Sequence, residues 1–260
     1  MDATGATVDS RELETKVKDM YRHVAEQPDG KYHFELGRPL AERLGYPPDV
    51  LGRIPEGASE SFAGVGYFFD LADLAEGEAV IDLGSGSGMD VFFAAERVGT
   101  SGSVVGVDFT SEQLAKARRI ANESGYSQVE FREGRIEQLP AEAESFDCVI
   151  SNGVINLAPD KGAVFAEAFR VLRPGGRLAI ADIVSEQQMK ESIVCDAALW
   201  ASCIGGAAQV DAYREAIEGS GLGIEEIREN PYQFISDRAR DASAKYGVKS
   251  VSLLAIKPSN

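Results

Sequence analysis

The chain has 260 residues, with 42 acidic against 26 basic side chains, a formal net charge of −16 and 44% hydrophobic residues. That length holds one large α/β domain, or one domain plus a small appendage, and the apolar fraction is enough to fill a core. Nucleic acid is disfavoured as a partner because its phosphates would meet a surface this negative, and no apolar run approaches the roughly 20 residues of a membrane span. Three scattered cysteines cannot build a disulfide framework, and the polar opening MDATGATVDSRELETK lacks a signal-peptide pattern. A reducing cytoplasm is therefore the expected compartment.

Residues 1–60 read as an α-helical N-terminal cap, and residues 61–260 as the main domain. Ser10 is placed to cap a helix from Arg11 to about Glu26, with Leu13, Val17, Met20, Tyr21 and Val24 on one face. Pro28, Asp29 and Gly30 break the chain, a short helix follows near Pro39–Leu44, and Leu51–Pro55 reads as a connector. From about Glu76 short apolar strands alternate with helices. Strands are expected at Ala79–Leu83, Ser103–Val107, Val129–Phe131, Phe146–Ser151 and Arg177–Ala181. Helices are expected at Met89–Val98, Ser111–Ser124 and Lys161–Leu172. The tail adds helices at Asp211–Ser220 and about Ser236–Tyr246, and strands at Gly223–Arg228 and Ser250–Ile256. This alternation predicts an α/β fold, a mostly parallel sheet with helices on both faces.

The strongest motif is Val80-Ile81-Asp82-Leu83-Gly84-Ser85-Gly86-Ser87-Gly88, a strand ending in an acid, then alternating glycines, then a helix. Bare backbone lets a ligand approach closely, and the helix terminus beyond offers free N–H groups. A dinucleotide fingerprint needs glycine at the sixth position from Gly84, where this chain has Met89. An acid before the loop also suits a ligand with a positive group better than a pyrophosphate. Asp108 ends the next strand, 20 positions beyond Gly88, about where a carboxylate reaches a ribose diol.

These motifs, with Phe146–Asn152 and Leu172-Arg173-Pro174-Gly175-Gly176-Arg177-Leu178, resemble in order and spacing those of the class I S-adenosylmethionine-dependent methyltransferases over about residues 76–185. The resemblance implies a Rossmann-like seven-stranded sheet with its last strand antiparallel. It also implies S-adenosyl-L-methionine as cofactor and S-adenosyl-L-homocysteine as product. By that pattern Asp82 and the Gly84, Gly86 and Gly88 loop hold the methionine portion, and Asp108 takes the ribose hydroxyls. Phe109, Arg135 and Ile136 border the adenine, and Asn152 lies beneath the transferable methyl. Phe109 serves equally well as core, Gln113 reaches either cofactor or solvent, and Pro174-Gly175-Gly176 reads as a structural turn. The helix bearing Tyr21 is expected to close over the cofactor.

A finer resemblance, over about Gly64–Ala207, is to the arsenite methyltransferases. It rests on Val149–Lys161 and Leu199-Trp200-Ala201-Ser202-Cys203-Ile204-Gly205-Gly206-Ala207. That family grips trivalent arsenic with soft thiolates, one cysteine from each of three regions. Here Cys203 matches the third, while the other two positions hold Gly153 and Val65. Cys148, mid-strand, reads as inert core. The leading expectation is methyl transfer to a small-molecule acceptor by in-line displacement. The alternatives are a soft-acceptor enzyme using Cys203 and a non-catalytic cofactor-binding protein. Tyr67, Trp200, Phe62 and Tyr21 either line an acceptor pocket or belong to the core. His33 and Cys203 are the candidate catalytic side chains, although methyl transfer requires no dedicated nucleophile. No metal is implied, and the oligomeric state is left open.

Overall fold

The computed structural model describes residues 9–30, 32, 34–194, 200 and 204–259. Its frame is one sheet of strands β1 (Ala79–Leu83), β2 (Ser103–Asp108), β3 (Val129–Glu133), β4 (Phe146–Asn152), β5 (Leu172–Ser185), β6 (Ala208–Gln209), β7 (Gly223–Glu229) and β8 (Lys249–Ile256). The order is β3-β2-β1-β4-β5-β8-β7, with the two-residue β6 set against β5. Strands β1 to β5 pair in parallel, and β8 runs antiparallel between β5 and β7. The expected seven strands are this path. The eighth, β6, is too short to show any alternation in sequence.

Alternate residues of the central strands face opposite sides, and each side has its own apolar layer. Val80, Val104, Cys148 and Ile150 pack with α6 (Met89–Val98) and α7 (Ser111–Ser124). Ile81, Leu83, Val107 and Val149 pack with α8 (Lys161–Val171) and a later helix, Val210–Gly219. Near-continuous Val and Ile runs suit strands covered on both faces.

The N-terminal segment comprises α1 (Ser10–Glu26), α2 (Gly37–Leu44) and two single-turn helices, α3 (Pro48–Leu51) and α4 (Glu56–Ser59). Leu40, Leu44, Tyr46, Val50, Leu51 and Ile54 are buried in the same layer as Phe92 and Phe93 of α6, so this segment has no core of its own. Asp9, not Ser10, caps α1: its Oδ1 accepts from the N–H of Arg11 (2.9 Å) and of Glu12 (3.2 Å). Both residue types cap well, and the choice between neighbours is made by backbone dihedrals. Strand β5 is much longer than Arg177–Ala181 because Arg177–Val184 pairs along the whole of β8. Its first residues carry the expected turn, where Gly175 donates to the Lys257 carbonyl (2.9 Å). No described helix is long and apolar enough to cross a membrane.

Candidate active site

The strand order reverses at β1, which has β2 on one side and β4 on the other. Register sets Leu83 opposite both Val107 and Ser151, so the carboxyl ends of three strands open at one place, where α/β sheets bind ligands. A cleft lies there, with about 1150 Å³ of non-protein space out to its mouth. The glycine loop forms one wall. Gly84 and Ser85 both donate to the Val107 carbonyl (2.8 and 3.0 Å), and the Gly86 N–H donates to Asp108 Oδ2 (2.9 Å). Gly84 has φ +75°, and a Cβ there would collide with Val154. Gly88 has φ +93°, and its Cβ would come within 2.6 Å of the Phe131 ring. Neither position tolerates another residue without strain.

Three aspartates line this cleft: Asp82 at the end of β1, Asp90 in the first turn of α6, and Asp108 ending β2. All three are buried. Asp82 Oδ2 has no hydrogen-bond partner among the described residues, and neither has Ser85 Oγ. Burial, with Asp90 and Asp108 nearby, pushes the Asp82 carboxyl well above the usual range. Asp90 is better held, accepting from the Tyr46 hydroxyl on Oδ1 (2.6 Å) and from Asn152 Nδ2 on Oδ2 (3.0 Å). Burial nonetheless raises its pKa to about 6. Burial also raises Asp108, against backbone donation from Thr110 (2.8 Å) and Gly86. Each Asp108 oxygen keeps a second lone pair for a ligand hydroxyl.

Helix α1 crosses the mouth of the cleft. Leu13, Glu14, Val17 and Tyr21 face in, opposite Phe109, Gln113, Arg135 and Ile136. Three contacts hold it there. Arg135 pairs with Glu14 at 2.6 Å, Lys18 Nζ sits 5.1 Å over the Phe109 ring, and Gln113 Nε2 donates to the Tyr21 carbonyl (2.9 Å). Gln113 is buried rather than turned to solvent, and its Oε1 accepts from Ser87 of the glycine loop. The Arg135 guanidinium holds the Glu14 carboxyl below the usual range.

The structure brings Tyr21, Asp82, Gly84, Gly86, Asp108, Phe109, Gln113, Arg135, Ile136 and Asn152 to one cleft, whereas Gly88, expected with them, does not line it because its backbone is turned against the Phe131 and Phe92 rings. Asn152 is a strut: Oδ1 accepts from the Val65 N–H (2.7 Å), while Nδ2 donates to Tyr46 Oη (3.0 Å) and the Gly66 carbonyl (3.1 Å) as well as to Asp90. Two expected acceptor residues do not line the cleft. Tyr67 packs edge-on against Tyr46 at 5.0 Å, beside Phe69 and Phe93, because three neighbouring aromatics give its ring a better apolar site. Trp200 is buried one layer behind the wall, against Leu13, Val17 and Leu157. Its ring also carries Lys161 Nζ at 4.9 Å. His33, Cys195 and Cys203 lie outside the described residues. Cys148 is buried, and burial pushes its thiol up to about 12. Gly153 and Val65 meet: a Cβ on Gly153 would lie 3.1 Å from Val65 Cγ1. Sequence reasoning missed Asp90 and Tyr46. An acid two positions beyond Gly88 was a visible signal for the first, but only tertiary contact could bring in Tyr46.

A family model described as a methyltransferase domain matches residues 74–221. An arsenite methyltransferase of Halobacterium salinarum is 40% identical over 220 residues, 84% of this chain and 56% of that protein. An arsenic(III) S-adenosylmethionine methyltransferase from Chlamydomonas reinhardtii is similar in structure, with TM-score 0.67 and 33% identity over 82% of this chain and 74% of that one. A geranyl diphosphate methyltransferase solved with geranyl diphosphate and sinefungin shares the fold, with TM-score 0.66 and 19% identity over 95% of this chain and 99% of that one. The chain spans about half the length of the curated relatives it matches.

Proposed function

The chain belongs to the methyltransferase-domain family in its class I, S-adenosylmethionine-dependent form, and on that premise we propose that it transfers a methyl group from S-adenosylmethionine to a small organic acceptor. The observation that carries this reading is the buried Asp82 Oδ2, without a hydrogen-bond partner among the described residues, beside a loop where a Cβ on Gly84 would collide with its neighbours. An orphaned acceptor and a side-chain-free wall fit a ligand that brings hydrogen-bond donors and positive charge. Asp82 and the Gly84–Gly88 loop would hold the methionine portion, and Asp108 would accept from the ribose hydroxyls. Phe109 and Ile136 would flank the base. Once bound, the cofactor supplies an activated methyl on a sulfonium that is its own leaving group. The protein's part is positioning and exclusion of water, with α1 as the cover and the Asp90–Asn152–Tyr46 contacts as the brace. Alignment of this kind supplies about 7 kcal/mol or more of barrier reduction.

Val65 and Gly153 favour an organic acceptor over arsenite. They occupy two positions where the related arsenite enzymes' pattern has cysteine, they lie in contact, and they offer no thiol. Leu13, Val17, Phe62 and Leu157 make the wall apolar. The competing soft-acceptor reading rests on Cys203 alone. A radiolabelled methyl donor, tested against phenols, amines, thiols and arsenite, decides between them. Transfer to an organic acceptor that survives Cys203→Ser supports our reading, and transfer to arsenite abolished by that change replaces it. Calorimetry showing no binding of S-adenosylmethionine or S-adenosylhomocysteine would remove the cofactor assignment altogether.

A further inference from the structure

We propose that Lys161 is a positioning residue for methyl transfer: its ammonium, behind the cleft wall, clamps the turn that forms the acceptor side of that wall to the Trp200 ring, and so to the cover helix α1. The inference rests on the function proposed above and deepens it, since Leu157 of that turn belongs to the apolar wall assigned to the acceptor. Lys161 itself does not line the cleft.

After β4 the chain makes a single 3-10 turn, Ile155–Leu157, and α8 starts at Lys161. Val154, Leu157 and Ala158 line the cleft, and Val154 is the side chain that a Cβ on Gly84 would meet. So short a turn leaves carbonyls without helical partners, and one group takes two of them. Lys161 Nζ donates to the Ala158 carbonyl (3.0 Å) and to the Asn156 carbonyl (3.2 Å). The same ammonium sits 4.9 Å from the centre of the Trp200 ring, an attraction that grows where water is excluded. Trp200 packs in turn with Leu13 and Val17 of α1 and with Leu157 of the turn, and its indole N–H donates to the Val194 carbonyl. The Gly205-Gly206 pair closes the clamp. A Cβ on Gly205 would collide with the Trp200 ring, and one on Gly206 with the Asn156 carbonyl.

Burial pulls the Lys161 ammonium down to about 8, against the charges of Asp182 and Asp160. Those are the charged groups that face it among the described residues. Asp160 caps α8, accepting from the Ala163 N–H (2.9 Å). Asp182 on β5 accepts from Asn156 Nδ2 (2.6 Å) and from the Tyr213 hydroxyl (2.7 Å) of the helix Val210–Gly219. The clamp is therefore charged at neutral pH and loses its charge as pH rises through about 8. A neutral amine still donates to the turn, but the attraction to the Trp200 ring is gone.

Trp200 is the single tryptophan of the chain, so fluorescence of the full chain reads the clamp directly. We expect its emission to step with pH at a midpoint near 8, and Lys161→Met and Lys161→Arg both to remove the step, because neither side chain titrates there. Turnover separates positioning from packing. With the radiolabelled donor and an acceptor from the panel above, at about pH 7, Lys161→Met lowers kcat about tenfold. Affinity for S-adenosylhomocysteine, by calorimetry, changes by less than about twofold. Lys161→Arg keeps a cation over the ring and holds kcat within about threefold of wild type. It also keeps kcat level between about pH 7 and about pH 10, where the wild type declines. The wild-type pH profiles need no variant and stand if one fails to fold. Equal kcat for Lys161→Met and wild type, or wild-type emission and kcat without a step, overturns the proposal and leaves the proposed function standing. Equal losses in Lys161→Met and Lys161→Arg assign Lys161 to packing alone and overturn it as well. Transfer to no acceptor of the panel overturns the proposed function and this proposal together.

Discussion

Under the proposed function Asp82 meets opposite demands from folding and from binding. Its carboxyl is pushed up by burial and by neighbouring acids, so the charged form is disfavoured in the fold. A carboxyl whose folded pKa lies above its unfolded value of about 3.9 stabilises the fold most in acid, and that contribution is lost as pH rises past the unfolded value. Asp82→Asn removes the conflict. We expect a higher melting temperature for the ligand-free protein at neutral pH, about 2–4 °C for each kcal/mol relieved, together with weaker donor binding. A lower melting temperature would mean that the carboxylate has a partner that stabilises it. Gly84 is the other residue with a sharp expectation. With φ +75° and Val154 against it, Gly84→Ala costs about 1–3 kcal/mol of stability in a thermal melt and closes part of the cradle, so donor binding falls with it.

At the scale of an element, α1 lines the cleft, and the proposed function makes it a cover rather than a scaffold. Its inward residues, Leu13 and Val17, are buried against the cleft wall and Trp200, while its polar latch is a half-exposed ion pair. Such a pair contributes at most about 1 kcal/mol and weakens with salt. Glu14→Gln is therefore expected to loosen donor binding by less than about fivefold. Deleting residues 1–30 removes the apolar cover too, and is expected to loosen it by tenfold or more. Unchanged affinity after deletion would show that α1 is not part of the site. Arg135 holds the Glu14 carboxyl below the usual range, so the latch is intact at neutral pH and is lost only in acid, as pH falls through that lowered range and Glu14 takes up a proton. Stopped-flow measurement of donor association at two salt concentrations reads the latch directly, with faster entry expected at the higher salt.

Across the whole molecule the net charge of −16 is spread over a chain whose layers are otherwise well filled. Self-repulsion of that size opposes the compact state and is screened over about 10 Å at 0.1 M salt. The melting temperature is accordingly expected to rise between about 20 mM and about 200 mM sodium chloride. A flat or falling profile in a thermal scan would mean that ion pairs such as Arg177–Glu78, at 2.6 Å, outweigh the repulsion. The N-terminal segment shares the main core through Leu40, Tyr46 and Ile54, so a single unfolding transition is expected rather than separate melting of residues 1–60.

Local pattern alone determined the parallel sheet, the glycine loop and the acids that end β1 and β2. Strand and helix periods, turn residues and the bare loop are properties of short stretches, and they are written where they act. Tertiary structure decided which side chains share the cleft. Asp90 enters it because α6 starts against β1, and Tyr46 reaches Asp90 across 44 positions of chain. Tyr67 and Trp200 leave it because neighbouring aromatic and aliphatic side chains take them into the interior. An amphipathic aromatic reads the same in sequence whether it lines a wall or stands behind one. Only the packing around it, built from residues far along the chain, sets which face it shows.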